Sequence, residues 1–140
     1  MSVKNLVSET DGIFYITITC YKLTALFEIT NTYDAVYKWF DHLIEQRHYI
    51  IGYVIMPSHV HAIIAFTNTG KSINIIVSNG KRFIAYDLVK RLKEMNSNLI
   101  LNELNNDLNN TEKKEGKIYG VFETSLIGKS AERKSLFSKN

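Results

Sequence analysis

The sequence has few of the residues that cross-link or break a chain. Its 140 residues include one cysteine and one proline, and its apolar runs, such as residues 62–66, fall far short of the ~20 residues that span a membrane. A single thiol cannot form an intramolecular disulfide, and it excludes a cysteine-rich zinc module. No basic-then-apolar segment of the secretory type opens the sequence. These absences predict a cytoplasmic protein without a membrane-spanning segment.

The composition that remains is typical of one folded domain. Hydrophobic residues make up 45% of the chain and aromatic residues 11%, and 17 basic against 14 acidic residues give a net charge of +3. A chain of this length buries roughly two-thirds of its unfolded surface, so it needs no metal or disulfide in order to fold. Residues 128–140 contain four basic residues and one acidic residue. We therefore expect a domain over residues 1–125 and an atypical or flexible basic tail over residues 126–140.

The first half of the sequence predicts three strands and a helix. Residues 13–21 are rich in β-branched and aromatic side chains and include Cys20, which we expect to be a buried thiol. A helix with an apolar face is predicted from Thr32 to about His48. Residues 49–56 and 60–66 are apolar runs on either side of Pro57, a spacing typical of an antiparallel hairpin.

The second half predicts helices and one late strand. Apolar residues recur at helical spacing over residues 73–92, where Gly80 predicts a kink or a close approach by another part of the chain. A shorter helix is predicted over residues 99–108, a loop over 109–116 and a strand over 117–123. The order β-α-β-β-α with a late strand predicts an α+β fold, a ferredoxin-like sandwich with an antiparallel sheet and its helices on one face.

Two histidines form the most informative local pattern. His59 and His61 are two residues apart at the start of an extended run, so their imidazoles should lie on one face of a strand while Val60 points into the core. Two imidazoles can bind one divalent ion and leave positions for water, another side chain or a phosphate oxygen. A pair of surface or hydrogen-bonded histidines is the alternative interpretation of the same spacing.

Residues 52–61, which read GYVIMPSHVH, resemble the His-hydrophobe-His signature of the single-tyrosine HUH transposases, and especially the REP-associated tyrosine transposases. The resemblance extends to residues 79–86, similar to the basic-aromatic helix that follows the histidines, and to residues 121–123, similar to a later aromatic-acidic strand. It covers residues 12–125.

The resemblance implies a metal-dependent reaction on DNA. It implies that His59 and His61 hold Mg or Mn. It further implies that a tyrosine hydroxyl attacks single-stranded DNA, including strands that form hairpins, to give a phosphotyrosine link. It also implies a homodimer. Four basic residues of the long helix are the expected DNA contacts: Lys81, Arg82, Lys90 and Arg91.

The sequence departs from this family where the nucleophile should be. The family's tyrosine lies on a helix after the aromatic-acidic strand, but the residues after Glu123 contain neither tyrosine nor proline. The pattern predicts that the catalytic helix is absent and that covalent activity is lost. Tyr86 is the candidate substitute nucleophile, although its place between Phe83 and Val89 favours packing in the core.

We therefore expect a transposase-like domain that binds single-stranded DNA and a divalent metal, with its catalytic activity lost. Two other interpretations stay open. One is a non-catalytic RNA- or DNA-binding module that would use Tyr15 and Tyr53 as exposed aromatics on the sheet. The other is a nuclease that activates a metal-bound water.

Overall fold

The structure is a computed structural model that describes residues 7–106 and 119–129. Its strands and helices, in chain order, are β1 (Gly12–Thr19), α1 (Leu26–Thr30), α2 (Tyr33–Glu45), β2 (Tyr49–Met56), β3 (His59–Phe66), α3 (Ile73–Glu94), α4 (Asn98–Asn106) and β4 (Ile127–Lys129). A 3-10 turn, Tyr21–Leu23, follows β1. Among the described helices, none combines the length and the apolar character needed to cross a bilayer.

The four strands found within the described residues form one antiparallel sheet in the order β2-β3-β1-β4. β1 lies between β3 and β4, and the hairpin of β2 and β3 is joined by a two-residue turn at Pro57 and Ser58. This order, with α2 between β1 and β2 and α3 after β3, is the ferredoxin-like arrangement. The predicted α+β fold class is confirmed.

Alternation along the strands separates two faces of the sheet. On β3, Val60, Ala62, Ile64 and Phe66 are buried, and on β1 Phe14, Ile16 and Ile18 are buried. They form one core with α2 and α3 residues such as Phe40, Leu43, Ile84 and Leu88. The intervening β3 residues, from His59 to Ala65, lie on the opposite face and are partly or fully exposed to solvent. We call this second face the outer face.

Cys20 lies in the core and directly follows the last residue of β1. Its side chain has no exposed surface, which confirms the prediction of a buried thiol. Because burial disfavours the charged thiolate, the pKa of Cys20 rises to about 12.

Gly80 allows α2 and α3 to pack closely. A Cβ atom at this position would lie 2.2 Å from Cε2 of Trp39, so the indole occupies the space beside the glycine. α3 is continuous from Ile73 to Glu94. Of the two predictions for Gly80, the structure therefore shows the close approach and not a break in the helix.

The end of the sheet differs from the prediction. We expected a strand over residues 117–123, but the described part of that range forms only an isolated bridge between Phe122 and Cys20. The fourth strand is Ile127–Lys129, within the range assigned to the tail. Just before β4, the backbone N–H of Thr17 donates to the carbonyl of Leu126 at 3.0 Å, and the N–H of Leu126 donates to the Thr17 side-chain hydroxyl at 3.0 Å. The predicted loop over residues 109–116 lies outside the described residues.

Candidate metal and nucleic-acid site

His59 and His61 lie side by side on the outer face, at the end of β3 next to the hairpin turn. Their ring centroids are 4.9 Å apart and the rings are nearly perpendicular. Both are partly exposed, while Val60 between them is buried. The two-residue period of the strand places the imidazoles together, as the spacing predicts.

Each imidazole is hydrogen-bonded through Nδ1. Nδ1 of His61 lies 2.8 Å from the hydroxyl of Tyr15, and Nδ1 of His59 lies 3.0 Å from the hydroxyl of Ser58. When Nδ1–H donates to these oxygens, the lone pair of each ring is on Nε2. Histidine ligands of metals commonly have such an acceptor on the second ring nitrogen. The donor set therefore fits a divalent ion bound through the two Nε2 atoms.

Main-chain hydrogen bonds fix the turn that precedes the histidines. The N–H of Cys20 donates to the carbonyl of Ser58 at 2.8 Å, and the N–H of Phe27 donates to the carbonyl of Pro57 at 3.0 Å. The turn is thus attached to the end of β1 and to α1. These bonds set the position from which His59 projects.

The surface around the histidines is mainly apolar. In the sheet register, Val54 and Thr17 flank His61 on the neighbouring strands, and Met56 and Thr19 flank His59. Val54 is 55% exposed and Met56 is 41% exposed. Within residues 7–106 and 119–129, no third His, Cys, Asp or Glu completes a cluster of three. An ion here would keep open positions for water or phosphate oxygen.

Tyr86 lies away from the histidines. It is 72% exposed on α3, so the expectation that it packs in the core is wrong. α3 covers the core face of the sheet, and the histidines lie on the outer face. The structure therefore does not bring Tyr86 to the candidate metal site. Tyr15 is instead the tyrosine that lies beside the histidines. No local pattern in the sequence connects it with His61.

Two of the four expected DNA contacts are occupied by internal interactions. Lys81 has no exposed surface, and its ammonium group donates to the carbonyl of Glu123 at 3.0 Å. This burial contradicts the expectation that Lys81 contacts a phosphate from the protein surface. Its position four residues after Val77 and three before Ile84 places it on the buried side of α3.

Arg91 joins α3 to the region where α1 meets α2. Its guanidinium lies 2.9 Å from the carboxylate of Asp34 and 3.0 Å from that of Asp87, and it also donates to the carbonyl of Asn31. The hydrogen bond from Arg91 lowers the pKa of Asp34 below its ordinary value. A structural role thus accounts for Arg91. Arg82 and Lys90, in contrast, are exposed on α3.

The two aromatic residues of the alternative nucleic-acid-binding interpretation lie on different faces. Tyr15 is on the outer face, opposite Ile63 in the register. Tyr53 is opposite the core residue Ala62 and packs against Tyr37 and Phe40 of α2, with ring centroids 5.8 and 5.2 Å apart. The two rings therefore do not form one aromatic platform.

The fold is that of an α+β ferredoxin-like domain, and comparison with solved structures finds the same arrangement elsewhere. The chain is similar to the structure of the REP-associated tyrosine transposase bound to a REP hairpin, with a TM-score of 0.54 and 12% sequence identity. The similarity covers 99% of this chain and 68% of that one. At this identity it shows a shared fold. No family model matches the chain, and no curated protein sequence gives a significant match.

Proposed function

We propose that the chain is a transposase-like domain of the HUH type that binds single-stranded DNA on its outer face, with Mg or Mn at His59 and His61. The observation that carries the proposal is the pair of adjacent imidazoles on an open face of the sheet, each with Nδ1 hydrogen-bonded. The fold shared with a transposase supports it.

The two imidazoles would hold the ion through Nε2, and Tyr15 and Ser58 would keep the rings oriented. A bound divalent ion supplies positive charge to a phosphodiester oxygen. Because the described residues give no cluster of three donors, we expect weak binding that a DNA phosphate strengthens.

The outer face suits unpaired nucleotides better than a duplex. Tyr15, Val54 and Ile63 are exposed there, and aromatic and apolar side chains can stack against bases that are not already paired. Arg82 and Lys90 are two exposed cations of α3, and they are available to phosphates of a longer strand or hairpin that passes around the helices. Lys81 and Arg91 are not part of this proposed surface.

We propose binding without covalent chemistry. The family reaction needs a tyrosine hydroxyl aligned with the scissile bond. Tyr86 is on the helix side of the sheet, and the Tyr15 hydroxyl is hydrogen-bonded to a proposed metal ligand.

A homodimer is also part of the proposal. β2 is an edge strand of the sheet, and its exposed residues include Tyr49, Ile51 and Val54. Such an edge offers unpaired backbone groups to a second chain. Light scattering should report twice the mass of one chain; a monomer at high concentration would contradict this part.

Manganese titration followed by electron paramagnetic resonance tests the metal site. In the presence of a single-stranded oligonucleotide, His59→Ala and His61→Ala should each abolish binding. His42→Ala is the matched control, since His42 is exposed on α2 and distant from the outer face. Equal manganese affinity in all four proteins would refute the site.

Gel experiments test the DNA proposal. Retardation of a hairpin with single-stranded flanks should weaken steeply with salt, because each neutralised phosphate releases counterions. Arg82→Ala and Lys90→Ala should each reduce that salt dependence.

On a denaturing gel with manganese we expect no protein–DNA band. A covalent band that disappears in Tyr15→Phe or Tyr86→Phe would show that the domain is catalytic.

A further inference from the structure

A cavity of about 330 Å³ lies on the helix side of the sheet, between α2 and the first half of α3. Trp39, Leu43, Ile76 and Gly80 are buried and form its inner wall. The loop between β3 and α3 contributes Thr69 and Lys71 to the lining. None of the residues of the outer-face site lines this cavity, so what it binds does not depend on the proposed function.

All the formal charges that line the cavity are positive. Lys38 extends from α2 and Lys71 from the loop before α3, and both residues are exposed. No carboxylate lines the cavity in the described part of the chain, and neither lysine forms a salt bridge there. The carboxylates on the helix of Lys38 are not among the lining residues: Asp41, Glu45 and Asp34, the last of which interacts electrostatically with Lys38. The lining therefore favours an anion.

The rest of the lining suits a planar ring with polar edges. Phe83 is 48% exposed beside the cavity, and Trp39 lies in its wall. Gln46 and Asn79 add amide groups that can both donate and accept hydrogen bonds. Ligand pockets are typically apolar and aromatic with a few placed polar groups, and 330 Å³ is near the lower end of their range of about 300–1,000 Å³. The ligand is therefore small.

We propose that this cavity binds a single nucleotide, with the base on the exposed ring of Phe83 next to the buried Trp39 and the phosphate between Lys38 and Lys71. The amides of Gln46 and Asn79 would contact the base edge. The same chemistry is present in a free mononucleotide and in one unpaired nucleotide of a strand. Gly80 is essential to the shape of the site, because it allows the indole to lie against α3.

Trp39 is the sole tryptophan of the chain, so its fluorescence reports directly on this cavity. Adenosine 5′-monophosphate should change the emission saturably, and adenosine or inorganic phosphate alone should bind at least tenfold more weakly. Lys71→Ala and Phe83→Ala should each weaken binding of the nucleotide at least tenfold. Lys93→Ala is the matched control, since it removes an exposed lysine of α3 that lies outside the cavity and outside the proposed DNA-binding surface.

Oligonucleotides distinguish the two sources of the nucleotide. A response to a short single strand but not to an abasic strand of the same length would identify an unpaired nucleotide of nucleic acid. A response to the mononucleotide alone would identify a free metabolite. No saturable change with any nucleotide, equal affinity for phosphate and nucleotide, or unchanged affinity in both variants with unaltered thermal unfolding would overturn the proposal.

Discussion

The hydroxyl of Tyr15 lies 2.8 Å from Nδ1 of His61, across the pairing of β1 with β3 and 46 residues away in the chain. The contact fixes the orientation of an imidazole whose other nitrogen faces the proposed ion. Removing such an outer hydrogen bond typically costs at least about tenfold in metal affinity.

Tyr15→Phe should therefore weaken manganese binding about tenfold while leaving the fold intact. Tyr49→Phe is the control, because Tyr49 is also a tyrosine of the outer face but makes no described contact with the histidines. Manganese titrations of the two variants provide the measurement. An equal change in both would mean that the hydroxyl of Tyr15 does not orient His61.

Lys81→Ala should destabilise the fold. The substitution removes the donor to the carbonyl of Glu123 and leaves that acceptor without this bond, which costs about 1–3 kcal/mol. Lys90→Ala, at an exposed position of the same helix, should change the free energy of unfolding by less than about 0.5 kcal/mol. Urea unfolding compares the two, and equal stabilities would contradict the structural role of Lys81.

Gly80→Ala should also destabilise the protein, although alanine is favoured over glycine in a helix by about 1 kcal/mol. The new methyl group would lie 2.2 Å from a buried indole carbon, and overpacking of this kind costs about 1–3 kcal/mol. Gly52→Ala serves as the control because a Cβ atom there meets nothing within 4 Å. A gain of stability in Gly80→Ala would show that Trp39 can move aside freely.

Stability should fall as the pH is lowered, because of His48. Burial lowers the pKa of His48, with a further contribution from His42, and its Nδ1 accepts the N–H of Thr67 at 3.1 Å. The unfolded chain therefore takes up this proton more readily, at a pKa of about 6.5. The loss of folding stability begins as the pH falls through that value. It is complete below the lower pKa that His48 has in the folded protein. Urea unfolding at a series of pH values should show a smaller loss in His48→Asn than in the wild-type protein.

The Cys20 thiol should be inert in the native protein. With its side chain buried and its pKa at about 12, very little thiolate exists at pH 8. Ellman's reagent should react with it only after the addition of denaturant. Rapid labelling under native conditions would show that this end of β1 opens frequently.

The periodicity of the sequence predicts on which face of its own strand or helix a residue lies. The positions of His59 and His61 on one face follow from the strand period alone. The same reasoning could have identified Lys81 as buried, because it shares a helical stripe with Val77 and Ile84, but the usual exposure of lysine suggested a DNA contact.

Long-range pairing could not be predicted in this way. The contact of Tyr15 with His61 depends on the register between two strands, and the site of β4 depends on how residues after 119 meet β1. Tyr86 was misplaced because it lies near apolar residues of α3 whose own exposure is mixed: Phe83 is 48% exposed and Val89 is half-buried.

The anchored turn at Pro57 and Ser58 limits how this protein can be engineered. Short hairpin turns are ordinarily good places for inserted tags or domains, provided that their backbone is free. Here both carbonyls accept bonds from Phe27 and Cys20, and Ser58 holds His59 through its hydroxyl. An insertion would displace all of these at once. The exposed loop at residues 68–70 is separated from the histidines by the length of β3, but Thr69 lines the cavity between α2 and α3, so a peptide inserted there would spare one candidate site and disturb the other.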